Sequence, residues 1–125
     1  MADRFEIRLG GSGGQGIILM GIILAEAIGI YDHKFVAQTQ SYGPEARGGS
    51  SKSEVIVSEI EIDYPKAMNP DLLLVMNQKS CYDFFPDLKP EGLLIVDSTF
   101  VTQVPLPSAL QIHFTRIARD RKSVV

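Results

Sequence analysis

The feature that most constrains this chain is a glycine-dense stretch near its start, Leu9 to Gly16, in which five of eight residues are glycine. An alternating apolar series, Phe5, Ile7 and Leu9, leads in, and an apolar run from Ile17 to Ile28 leads out. Alternation marks a half-buried strand and the longer apolar run a core helix, so the segment reads as strand, tight turn, helix. From Gly11, the spacing Gly11-x-Gly13-x-x-Gly16 fits the dinucleotide-binding fingerprint. The N–H groups that open such a helix, at the positive end of its dipole, form an anion site.

A dinucleotide fold requires more than the turn. It places an acid at the C-terminal end of the second strand, about 20 residues on, to hold ribose hydroxyls. Asp32 satisfies the count, but it precedes the second strand, and that strand ends in Gln38, Thr39 and Gln40. The spacing agrees and the context does not.

The rest of the chain reads as an α/β protein. The apolar run Ile17–Ile30 is fourteen residues long and contains Glu26, too short and too charged for a membrane span of roughly 18 or more residues. A helix over Ile17–Ile28, apolar on almost every face, is expected to be covered on most sides. Gly21 inside it points to close packing against a neighbour, and Gly29 is a natural C-cap. Phe35–Thr39 is a second strand, giving a right-handed, Rossmann-like βαβ unit with the first. Lys52–Val57 and Glu59–Ile62 read as short strands, a hairpin or one bent strand, ended by Pro65. The continuous apolar run Asp71–Met76 suits a strand buried on both faces. Asn77 caps a short helix over Gln78–Phe85, closed by Pro86. Gly92–Asp97 is another buried strand, Gln111–Phe114 a short one, and Thr115–Arg121 starts a basic helix. The expected fold is a three-layer α/β sandwich with a mostly parallel, mixed sheet, in one domain over residues 1–125.

A second loop carries chemistry. Ser41–Ser51 sets Tyr42, Glu45 and Arg47 among Gly43, Gly48 and Gly49. Arginine offers a planar fork for carboxylate or phosphate, and successive glycine N–H groups can form an anion nest. The plainer reading is that Arg47 pairs with Glu45 or another local acid and holds the loop in shape. Both loops belong at the C-terminal edge of the sheet, where α/β folds place their sites.

Charge and composition exclude other classes. A net charge of −3 gives no footprint for nucleic acid or a membrane surface. One cysteine, Cys81, allows no internal disulfide and no cluster site. With no signal peptide visible, a cytoplasmic location is expected. His33 and His113 lack ligand partners in sequence and read as structural. Cys81 reads as a buried or half-buried thiol, and Asp97, before Ser98 and Thr99, as a helix or turn cap.

Taken together, Gly11–Gly16 and Tyr42–Gly49, about 25 residues apart, resemble the gamma subunit of the 2-oxoacid:ferredoxin oxidoreductases, the pyruvate, ketoisovalerate and 2-oxoglutarate group. Asp71–Met76 and Gly92–Ser98 stand where that family has later strands. The likeness covers nearly the whole chain and is greatest to the stand-alone gamma subunit of the 2-oxoglutarate enzymes. The resemblance implies a multi-subunit enzyme that converts a 2-oxoacid and coenzyme A to acyl-CoA and carbon dioxide, with electrons passing to ferredoxin or a similar acceptor. It implies alpha, beta and ferredoxin-like delta partners. Thiamine diphosphate, Mg²⁺ and [4Fe–4S] clusters would lie in those partners, with no cofactor or catalytic residue in this chain. It also implies that Gly11, Gly13, Gly14, Gln15, Gly16, Tyr42, Gly43, Glu45, Arg47, Gly48 and Gly49 face partner subunits or coenzyme A. Family gamma subunits run on into further helices, so Leu106, Leu110, Ile112 and Phe114 are expected to be more exposed here than in a complete subunit, and apolar residues on the site edge to favour a homodimer in isolation. Two other readings stand beside this one: an independent dinucleotide-binding protein, and a non-enzymatic interaction module.

Overall fold

The computed structural model describes residues 4–12, 15–41 and 50–124. In chain order the elements are β1 (Arg4–Gly11), α1 (Ile17–Tyr31), β2 (Phe35–Ser41), β3 (Ser51–Ser58), β4 (Leu72–Val75), α2 (Gln78–Phe84), β5 (Leu93–Asp97), β6 (Leu110–Ile112) and α3 (Phe114–Val124). The six strands form one sheet in the order β2-β3-β1-β4-β5-β6. The β1/β4, β4/β5 and β5/β6 pairs are parallel; β3 is antiparallel to both its neighbours. The mixed α/β sandwich expected from the sequence is the observed fold. One detail differs: β1 and β2 run the same way, but β3 lies between them, so the first βαβ unit spans a gap of one strand.

Pleating divides the sheet into two faces. Ile7, Leu9, Val55, Val57 and Leu74 form a core with Ile17 of α1, and Phe114 of α3 packs on it. On the opposite face Leu73, Val75, Leu94 and Val96 pack against Cys81 and Phe84 of α2. Asn77 opens α2 as expected, its side chain accepting the Ser80 N–H at 2.9 Å.

Helix α1 is covered on one side only, against expectation. Ile17 and Gly21 are its buried residues, while Leu19, Ile23 and Ile30 are 60, 57 and 63% exposed. It seats over β2 and β3, and a Cβ at position 21 would overlap Ser53 Oγ, so Gly21 sets how closely helix and sheet approach. Beside it an apolar groove of about 460 Å³ runs over the β1–β4–β5 surface, between Met20, Ile23 and Leu24 of α1 and Phe114 of α3. Towards the end of the chain Leu110 is 48% exposed, Leu106 and Phe114 pack against the two cores, and Ile112 is half-buried.

The boundaries teach local physics. Helix α1 runs past Gly29 to Tyr31, with the Asp32 N–H donating to Ile28 O at 2.9 Å, and His33 takes the left-handed turn at φ 56°. Gly29 is therefore not the C-cap. Residues 59–62 are not a strand: the Ile60 N–H donates to Ser58 Oγ at 3.1 Å, a local bond that turns the chain out of the ladder. His113 lies between β6 and α3 rather than in the strand.

From there residues 59–71 form a strap across the α2 face of β1 and β3. Arg4 donates to Tyr64 O at 2.7 Å and Lys66 O at 2.9 Å. Glu6 Oε1 accepts from the N–H groups of Met68 and Asn69, at 3.0 and 3.1 Å. Arg8, 3% exposed, pairs with Glu54 and Asp87 at 2.8 and 2.7 Å and donates to Ala67 O at 2.9 Å. The polar side of β1, read from alternation as solvated, is buried. The strap's backbone and the carboxylates of Glu54 and Asp87 satisfy its charges.

Candidate functional site

The glycine turn begins where β1 ends. Gly10 O accepts the Met76 N–H at 2.8 Å, joining the turn to the end of β4, and Gly11 pairs with Ser51 at the start of β3. Gln15 ties the turn closed. Its Oε1 accepts the Ser12 N–H at 2.8 Å, and its Nε2 donates to Met76 O at 3.0 Å. Gly16 has φ 79°, a left-handed conformation that costs a β-carbon about 1–2 kcal/mol. That turn aims α1 back across the sheet.

Among the described residues no side chain caps α1 at Gly16, and its first turn holds no acid. The N–H groups at its start therefore keep their capacity for an anion or a polar partner surface. Among the described residues β2 ends in Gln38, Thr39, Gln40 and Ser41, with no acid in the ribose position. Asp32 follows the last residue of α1, a 15-residue helix about 22 Å long at 1.5 Å per residue, and so stands at the wrong end. The geometry argues against a dinucleotide held in the usual way.

The anchors of the second loop stand on the same edge. Ser41, the last residue of β2, pairs with Lys52 of β3, next to the Gly11–Ser51 pair. Ser50 Oγ donates to Asp83 Oδ2 of α2 at 3.0 Å, fixing the loop's exit. The structure thus brings Gly11, Gln15 and Gly16 together with both feet of the second loop. Gly13, Gly14, Tyr42, Gly43, Glu45, Arg47, Gly48 and Gly49 lie outside the described residues, as does any Arg47–Glu45 pair. Sequence reasoning missed the two ties that secure this edge, Gln15 to Met76 and Ser50 to Asp83. Both link residues far apart in the chain through generic polar side chains, which leave no local signal.

The remaining singled-out residues are structural. Asp97 is fully buried; its Oδ1 accepts the Thr99 N–H at 3.0 Å and its Oδ2 the Thr115 hydroxyl, so it holds the turn after β5 against α3. Cys81 is fully buried, and burial raises its pKa above the ordinary 9.0. Among the described residues no group of three or more His, Cys, Asp or Glu could hold a metal ion. No helix among them is long and apolar enough to cross a membrane.

This fold has known counterparts. The family model for pyruvate ferredoxin/flavodoxin oxidoreductase matches residues 6–125. The 2-oxoglutarate synthase subunit KorC of Methanocaldococcus jannaschii is 49% identical over 121 residues, covering 94% of this chain and 65% of that protein. Its counterpart in Methanothermobacter thermautotrophicus is 50% identical over 116 residues, covering 93% and 61%. The chain thus spans less than two thirds of the length of these relatives. The crystal structure of a keto/oxoacid ferredoxin oxidoreductase gamma subunit from Geobacter sulfurreducens superimposes with a TM-score of 0.82 at 46% identity, over 96% of this chain and 66% of that one. With the two-loop edge and the mixed sheet in place, the matches over nearly all of the sequence lead to one assignment: the chain belongs to the pyruvate ferredoxin/flavodoxin oxidoreductase family.

Proposed function

We propose that this chain is a gamma-type subunit of a multi-subunit 2-oxoacid:ferredoxin oxidoreductase, with 2-oxoglutarate as the favoured substrate. The carrying observation is the identity of about half of all positions, over nearly the whole chain, to subunits named for 2-oxoglutarate synthase. The reaction of such a complex joins a 2-oxoacid with coenzyme A, releases carbon dioxide and acyl-CoA, and passes two electrons to ferredoxin or a similar acceptor. Alpha, beta and ferredoxin-like delta subunits are the expected partners.

The residues present do not fit the redox groups of that chemistry. An iron–sulfur cluster needs four ligands, and the single cysteine is fully buried. On this proposal the catalytic steps fall to partner subunits, which would carry the thiamine diphosphate, Mg²⁺ and clusters. This chain's contribution is positional. Gly11, Gln15 and Gly16, with Gly13, Gly14 and the Tyr42–Gly49 loop, would present backbone N–H groups and the Arg47 guanidinium to partner subunits or to the phosphates of coenzyme A. The start of α1, without a side-chain cap among the described residues, supports that role, since it favours anionic or polar partners.

Co-expression with candidate alpha, beta and delta subunits tests the proposal. The complex is expected to reduce acceptor when given 2-oxoglutarate and coenzyme A, faster than with pyruvate, and the chain alone to do neither. Failure of any thiamine-dependent partner to co-purify would overturn it.

A further inference from the structure

We infer that a second anion site lies on the α2 face of the sheet, between the β2–β3 edge and the strap, and that it takes a small phosphorylated or carboxylated ligand. The space is a cavity of about 480 Å³, within the size range of small-ligand pockets. Its floor is two cross-strand pairs, Thr39 opposite Glu54 and Ser41 opposite Lys52. Its roof is the strap, with Tyr64 and Lys66 at the rim.

Three observations set the sign of the ligand. Glu54 is the one acid in the wall, and its oxygens are already engaged, Oε2 by Arg8 Nε at 2.8 Å and Oε1 by the Ala67 N–H at 3.1 Å. Two ammonium groups share the same wall: Lys52, whose Nζ stands 3.7 Å from Glu54 and 6.0 Å from the Phe84 ring centroid, and Lys66. Ser41 Oγ is shielded from solvent and meets no hydrogen-bond partner among the described residues. A shielded hydroxyl without a partner costs free energy, which an accepting ligand atom would recover once the Ser41 side chain turns into the cavity. Cationic walls, hydroxyl donors and one committed carboxylate suit an oxyanion, whether a phosphoryl group or a carboxylate.

The site borders the glycine turn, since Lys52 pairs with Gly10 as well as with Ser41, but it does not depend on the subunit assignment. Inorganic phosphate and succinate, titrated separately into isotopically labelled chain and followed by amide NMR, distinguish the two ligand chemistries. At least one is expected to shift Thr39, Ser41, Lys52 and Lys66 saturably. Lys66→Glu should weaken that binding by about tenfold, the effect of losing one charge-assisted hydrogen bond. Ser41→Ala should weaken it several-fold and leave the denaturation midpoint in place, because the free protein loses no bond. Two outcomes overturn the inference: no saturable shift with either anion, or shifts centred on Ser12 to Ile17 that neither variant alters.

Discussion

The two faces of β1 reverse the usual assignment of polar and apolar side chains. On the α2 face, Arg8 and Glu6 are buried under the strap. On the other face, α1 is apolar almost throughout, yet leaves Leu19, Ile23 and Ile30 more than half exposed. The difference shows that burial follows what is available to cover a face. A charged face can be closed when a neighbouring segment offers carbonyls, N–H groups and opposite charges in register with it. An apolar face stays open where no such segment reaches it.

The comparison can be broken most sharply at Arg8. Arg8→Ala takes from the buried Glu54 its 2.8 Å partner and leaves only Lys52 at 3.7 Å and the Ala67 N–H, and should cost up to about 3–5 kcal/mol in denaturant unfolding. The double variant Arg8→Met, Glu54→Leu should recover much of that loss, because an apolar pair of similar volume needs no partner. If the single variant proved as stable as the parent, the buried-charge account of this face would be wrong.

A smaller effect is expected where α1 touches the sheet. Gly21→Val forces a side chain against Ser53 and should cost about 1–3 kcal/mol by overpacking. Combining it with Ser53→Gly should restore part of the loss.

Cys81 tests the α2 face by pH. Its pKa is raised by burial, so the folded state holds the thiol proton to higher pH than the unfolded state. Its stabilising contribution is complete below the ordinary value and declines as pH rises through the raised one. Alkylation by iodoacetamide at mildly alkaline pH should be far slower in the folded chain than in denaturant. Equal rates would remove the buried thiol from the account.

The smallest expected effect lies on the open face. Leu19→Glu and Ile30→Glu should change stability by no more than about 0.5 kcal/mol, while reducing self-association in sedimentation measurements. A large loss of stability would mean that α1 is covered after all.

These contrasts show what could be read in the sequence. The β1–turn–α1 unit was legible because alternation, glycine density and an apolar run are local signals. So were β4 and β5 as unbroken apolar runs, and Asn77 as a cap. The placement of β3 between β1 and β2 was not legible, since pairing partners are chosen across long stretches of chain. Nor was the strap: Arg4, Glu6 and Arg8 look like a solvated face until residues 64–69 are laid over them. The short run Glu59–Ile62 has a strand's alternation, and the Ser58 hydroxyl overrides it. At the candidate site the glycine spacing was visible, but the position of Asp32 relative to α1 decided what the spacing means.

The intervening strand has a metric consequence. Because β3 pairs with Gly11 through Ser51 and with Ser41 through Lys52, the start of the glycine turn and the entry of the second loop stand two strand spacings apart, about 10 Å, with that loop's exit between them. That span is a gauge set by backbone geometry. Changes in loop length or side chains alter the lining of the opening between them, while its width at the base stays that of a single strand.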